Sequence, residues 1–265
     1  MLSEELPPGT KFPRVPQATT LKAEGSLTYR INEQSMTKPS PPVTLMRRTL
    51  QDGVYLNLRL ALMSGEFTPG QRLTAREIAE RIGTSAMPVR EAFRQLIAQG
   101  ALEPLSTGAT RVPIMDSGKI ADVMEIRLQV EDLAVRRAAT RITDEQLREL
   151  TQANDEMAAA QRRQDSKEEA RANERFHFCI YRAAGSEELL RVIEHLWLRI
   201  GPYLYSIIEG RDAPPRTRRP TVYHTAIMDA LKQQDPDKAA AALREDLTEA
   251  AALFSSRLST RRKGT

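Results

Sequence analysis

Three features of the sequence predict a mainly α chain, with an N-terminal winged helix-turn-helix followed by an antiparallel all-helical bundle. The composition is rich in Ala, Leu, Arg, Glu and Gln, with 40% hydrophobic but only 5% aromatic residues, a mixture that favours helices over sheets. Between Thr44 and Ile114 the local signals run helix, helix, tight turn, helix, hairpin. Beyond Pro113 almost every window carries helical periodicity, interrupted only by short connections of the kind that join antiparallel neighbours.

Residues 1–43 carry Pro7, Pro8, Pro13, Pro16, Pro39, Pro41 and Pro42 among Ser, Thr and charged residues, so a disordered arm is expected there. From Thr44 an apolar stripe of Leu45, Leu50, Val54, Leu58 and Leu62 predicts a first helix that ends at Gly65. A Pro69-Gly70 turn follows. Thr74 and Glu77 have the spacing of a capping box at the start of a second helix, and Gly83 is its stop signal. Ser85 is placed to cap a third helix, where Pro88 is tolerated because first-turn amides have no intrahelical partner. Val89, Phe93, Leu96 and Ile97 give that helix a core face, and Gly100 ends it. Two short strands around Ser106-Thr107-Gly108 complete a domain over 44–114. The region 115–258 then divides into six helical segments, at about 117–142, 144–164, 166–184, 186–209, 215–234 and 236–258, and a basic tail covers 259–265.

Charge separates the two parts. Residues 44–114 hold nine arginines against six acidic residues, whereas the bundle is close to neutral and the whole chain carries +4. A double-stranded DNA partner is therefore expected to meet the first domain. The third helix fits a major groove tip first: Ser85 and Ala86 are small enough for close backbone approach, and Met87, Arg90 and Arg94 share the face opposite the core. Arg76 on the preceding helix is placed to grip the flanking backbone, and Ser106 and Arg111 in the wing to reach an adjacent groove. Cys179 is the single cysteine, which excludes an intrachain disulfide framework. No apolar run approaches the roughly 18–20 residues of a membrane span, and the opening segment is polar, so a soluble cytoplasmic protein is expected.

The stretch "SGEFTPGQRLTAREIAERIGTSAMPVREAFRQLIAQGALEPLSTGATRVP" resembles the DNA-binding domain of GntR-family transcription regulators, through its Pro-Gly turn, its "PVREAF" recognition helix and its small-residue wing. The resemblance assigns groove contacts to Arg76, to Ser85, Ala86 and Met87, and to Arg90. Ala86 stands where family members usually carry an arginine, so a different operator is implied, with Ala86 and Met87 offering apolar contact to a thymine methyl.

In the first bundle helix, Arg127 and Glu131 fall on the stripe of Ile120, Val123, Met124, Ala134 and Ala138, which directs both charges inward. An inward pair needs a cavity or further polar partners, and Arg127 can clamp a carboxylate in two-pronged fashion, so both are candidate effector-binding residues. The segments "EIRLQVEDLAVRRAA", "NERFHFCIYRAAGS" and "YHTAIMDALKQQDPDKAAAALREDL" resemble the FCD-type effector domain of the FadR subfamily, in its shorter six-helix, VanR-like form. The resemblance implies a homodimer, a small carboxylate effector and a divalent metal held at the positions of Asn173, His177, His224 and Asp246. Asn173 replaces an acid and Asp246 an imidazole in that set, which still suits Zn²⁺, Ni²⁺ or Mn²⁺. The alternative for these residues is a hydrogen-bonded polar pocket without metal. His195, beside Trp197, is expected to be a partly buried packing residue. For the chain as a whole the leading expectation is a ligand-responsive DNA-binding regulator, with repression the commoner mode. A metal-dependent enzyme built on His177, His224 and Asp246 and a DNA-binding architectural protein are the alternatives.

Overall fold

The computed structural model describes residues 50–209 and 220–262, with side chains through Leu204 and again from Thr221 to Phe254. The proline-rich arm, the start of the first helix at 44–49, the "GRDAPPRTRRP" connection up to Arg219 and the last three residues of the tail lie outside the described residues.

The first domain comprises α1 (Leu50–Met63), β1 (Arg72–Leu73), α2 (Ala75–Ile82), α3 (Ala86–Ala98), β2 (Glu103–Pro104) and β3 (Thr110–Arg111). Val54, Leu58 and Leu62 of α1 join Ile78, Val89, Phe93 and Leu96 in its core, the periodic faces read from the sequence. The capping box is formed, with the Thr74 hydroxyl accepting from the Glu77 amide and the Glu77 carboxylate accepting from the Thr74 amide. Gly83 takes the left-handed conformation (φ 71°) that ends α2 without steric cost and turns the chain into α3. Ser85 is the N-cap residue of α3, but its hydroxyl makes no capping hydrogen bond, contrary to expectation. The wing has three strands rather than two, in the order β1-β3-β2, with Arg72 and Glu103 flanking Arg111 on antiparallel partners. β1 is only two residues long, too short for any alternation to register, and the turn signal beside it conceals it.

The second domain is formed by α4 (Ser117–Ala139), α5 (Asp144–Arg163), α6 (Ser166–Ala183), α7 (Glu187–Glu209), α8 (Pro220–Lys232) and α9 (Pro236–Arg262). α9 continues past 258 through residues expected to form the tail, a stretch with no Gly or Pro to stop it and with Arg261 and Arg262 at the end that favours cations. In α4 the predicted inward stripe is buried in full, Arg127 and Glu131 included.

α7 belongs to both domains. Its Gly201 lies so close to the end of α1 that a Cβ there would stand 2.5 Å from the carbonyl oxygens of Leu62 and Met63. One turn earlier on the same contact, Arg59 of α1 forms a two-pronged pair with Glu194, at 2.7 and 3.0 Å. The Tyr203 hydroxyl accepts from the Met115 amide in the interdomain linker and donates to the Pro113 carbonyl. Arg171 of α6 adds a further pair to Glu66, just beyond α1.

Candidate functional site

Two chemically different sites emerge, one on the surface of the first domain and one inside the second. On α3 the exposed residues are Ser85, Met87, Arg90, Arg94 and Ala98, while Val89, Ala92, Phe93 and Leu96 are buried. A helix whose inner face is filled by its own domain can offer its outer face only to a partner. Met87 is 66% exposed, a large apolar side chain at the helix tip that none of the described residues covers. Arg90 and Arg94 continue that face by three and seven residues, and Ala86, partly buried, begins the helix.

The flanking cations are held lightly. Arg76 pairs with Glu80 one turn along α2 at 2.9 Å, with both side chains mostly in solvent. Arg94 pairs with Glu91. Arg111 donates across the wing to Glu103 at 2.7 Å, which orients it along the hairpin, and Ser106 is exposed in the turn. Such exposed pairs are worth little and give way readily to a phosphate.

The second site is built from α4, α6, α7, α8 and α9. His177 on α6, His224 on α8 and Asp246 on α9, far apart in sequence, come together so that one ligand atom of each lies within 4.8 Å of the others. His177 Nε2 is 3.4 Å from Asp246 Oδ2, and His224 Nε2 is 3.9 Å from Asp246 Oδ1. Phe176 stacks on the His224 ring at 3.9 Å and sets its plane. Both ring nitrogens of His224 are buried and have no hydrogen-bond partner among the described residues. Burial pushes this imidazole down to about 3, despite the opposing Asp246 charge, so the ring is neutral and keeps a lone pair. A fully buried imidazole without a partner is costly, and a divalent cation held among His177, His224 and Asp246 would supply one. These donors fit such an ion: two imidazoles and a carboxylate, with Asn173 one helical turn before His177 lining the same cavity.

That cavity measures about 50 Å³ and is lined by Arg127, Glu169, Asn173, His177, Trp197, Asp246 and Glu249 together with apolar side chains of α5, α7 and α9. Arg127, 4% exposed, lies over the Trp197 ring at 4.6 Å and donates from Nε to Glu131 Oε1 at 2.6 Å. Glu131 differs from the expectation for an effector contact. It is fully buried, is absent from the cavity lining, and already accepts from Arg127, Trp197 and Tyr181. Burial, reinforced by Glu131, raises the Tyr181 phenol well above its ordinary value, so it stays protonated. Tyr181 and Trp197 were not foreseen as site residues. The spacing of Tyr181, four residues after His177, is the signal that could have found the first; the second reaches the site only through packing. His195 is exposed rather than partly buried, because α7 turns Leu196 and Trp197 inward instead.

Comparison with known proteins accounts for both halves. Residues 50–112 match the model of the gntR family of bacterial regulatory proteins, and residues 122–249 match that of the FCD domain. The HTH-type transcriptional regulator McbR of Escherichia coli (strain K12) is 31% identical over 189 residues, covering 71% of this chain and 84% of the relative. The "Probable D-xylose utilization operon transcriptional repressor" of Paenarthrobacter nicotinovorans is 31% identical over 201 residues, covering 75% and 86%. Among solved structures, that of E. coli McbR/YncC superposes with a TM-score of 0.74 at 29% identity, over 79% of this chain and 98% of that one.

Proposed function

This chain belongs to the GntR family of bacterial regulatory proteins and is a ligand-responsive DNA-binding transcription regulator, not an enzyme; from that premise we propose how its two sites divide the work. The exposed face of α3 enters the major groove, with Arg90 reaching a guanine edge or phosphate and Met87 and Ala86 contacting thymine methyls. Ser85 and Arg94 border that contact, Arg76 holds the flanking backbone, and Ser106 and Arg111 carry the wing to the neighbouring groove. The observation that supports this reading is the uncovered Met87 and Arg90 on a helix whose other face is fully packed. A homodimer presents two such helices about 34–36 Å apart to a near-palindromic operator.

The bundle cavity takes a small carboxylate effector, and the protein acts as a repressor released by it. A divalent metal (Zn²⁺, Ni²⁺ or Mn²⁺) at His177, His224 and Asp246, with Asn173 as a weak fourth ligand, supports this reading through the unpartnered nitrogens of His224. When bound, that ion supplies a Lewis-acidic anchor for a carboxylate, while Arg127 is the chain's own anchor beside it. α7 links the two sites. Trp197, Ile200 and Leu204 line the cavity, and on the same helix Glu194 and Gly201 bear on α1, which packs against α3. A ligand that prefers one placement of α7 therefore shifts DNA affinity, and DNA shifts ligand affinity by the same factor.

The test is selection of bound duplexes from a random library by the purified chain, repeated after chelation and with a panel of small carboxylates. Enrichment of a near-palindrome, weakened by one acid, is the expected result. Enrichment that no acid changes, with or without chelator, would leave the DNA reading and remove the effector reading.

A further inference from the structure

Four donor hydrogens converge on the Glu131 carboxylate from three side chains. Oε1 receives Arg127 Nε at 2.6 Å and Trp197 Nε1 at 3.0 Å, and Oε2 receives the Tyr181 hydroxyl at 2.5 Å and Arg127 Nη2 at 3.3 Å. A carboxylate paired with a guanidinium has only acceptors to offer, so the hydrogen in the contact with Tyr181 belongs to Tyr181. A phenol has one such hydrogen. The other contact of the Tyr181 oxygen, 3.2 Å to His177 Nδ1, must then be filled by a hydrogen on the imidazole. In a neutral ring the hydrogen on Nδ1 leaves Nε2 with a bare lone pair, and Nε2 is the atom that faces Asp246 at 3.4 Å.

We infer that Glu131 and Tyr181 are positioning residues for His177: they form a directed hydrogen-bond relay that keeps a hydrogen on Nδ1 of the imidazole and turns Nε2, the nitrogen left for a metal, toward His224 and Asp246. The inference rests on the metal reading above for its purpose but not for its geometry. The relay is enclosed. Glu131 is 0%, Tyr181 1% and His177 2% exposed, so these contacts are shut off from bulk solvent. Its direction is set at the far end by Arg127 and Trp197, neither of which can accept a hydrogen bond. A metal-binding histidine whose second nitrogen donates to an anchored acceptor is held in ring orientation and made more basic, and loss of such a partner typically lowers metal affinity about 10–100-fold. The relay also gives Glu131 a use that its absence from the cavity lining leaves open, and it joins Arg127 to the metal ligands through a single carboxylate.

The experiment reads the tautomer directly. In ¹⁵N-histidine-labelled full-length protein, treated with chelator, the ring nitrogens of His177, His195 and His224 are few enough to assign by substitution. At a pH high enough for the ring to be neutral, the wild type is expected to give a protonated Nδ1 and a bare Nε2 at His177. Tyr181→Phe removes the acceptor and is expected to give a mixture of tautomers. Glu131→Gln is sharper. With its carbonyl kept on Arg127 and Trp197, its amide donates to Tyr181, Tyr181 donates to His177, and the tautomer reverses to Nε2–H. Zinc affinity, measured by competition with a chromophoric chelator, is expected to fall about 10–100-fold in both variants. A wild-type His177 protonated on Nε2, or a folded Tyr181→Phe protein that keeps both the Nδ1–H tautomer and full zinc affinity, overturns the relay. A wild type that takes up no zinc yet shows the Nδ1–H ring overturns the metal reading and leaves the relay supported.

Discussion

The two domains treat charge in opposite ways. In the winged domain Arg76, Arg90 and Arg94 stand in solvent, and among the described residues Arg76 and Arg94 pair with neighbours on their own helices. In the bundle Arg127, Glu131, His177 and His224 are withdrawn from water almost completely. An exposed arginine costs the fold nothing and is free to exchange its carboxylate for a phosphate. A buried charge must be matched within the protein, so each unmatched polar atom there is a statement about something missing. Surface recognition is thus read from what is left uncovered, and the interior site from what is left unpaired.

The contrast is most exposed to attack at the buried ion pair. Glu131→Ala strands the Arg127 guanidinium in the core and is expected to cost about 3–5 kcal/mol of folding stability, read as a large fall in Tm or denaturation midpoint. A loss below about 1 kcal/mol, the range of exposed pairs, would erase the distinction between the domains. Metal addition is next in size. At a zinc concentration about 100 times its Kd, wild-type stability should rise by about 2.7 kcal/mol, and His224→Ala should abolish most of the gain. An equal gain in the variant would move the ion elsewhere. On the outer surface, Arg90→Ala is expected to weaken selected-operator binding by about 1–3 kcal/mol while Tm stays unchanged. Unaltered affinity would remove Arg90 from the groove. The smallest effect belongs to Arg76→Ala, within about 0.5 kcal/mol of wild-type stability, seen chiefly as a decrease of about one in the salt dependence of DNA binding.

The winged domain and the helix order of the bundle were legible because they rest on local signals. Thr74 and Glu77 cap α2 as their spacing implies, and the apolar stripe of α3 leaves Met87 and Arg90 outside. Where local signals were weak the reading slipped: a two-residue strand escaped, Ser85 proved not to cap through its hydroxyl, and α9 ran beyond its expected end.

The sequence by itself determined the helical periods, the inward direction of Arg127 and Glu131 and the face that α3 offers, since each follows from spacing along a single element. Only the tertiary structure decided what those inward groups meet. His177, His224 and Asp246 lie on three helices, and no spacing along one helix brings the other two to it. Glu131 faces the core as its position requires, yet whether it touches a ligand or anchors Tyr181 depends on side chains 50 and 66 residues away. Likewise Gly201 stands beside Pro202 inside α7. It becomes the contact between α7 and α1 only once two domains pack so closely that no Cβ fits between them.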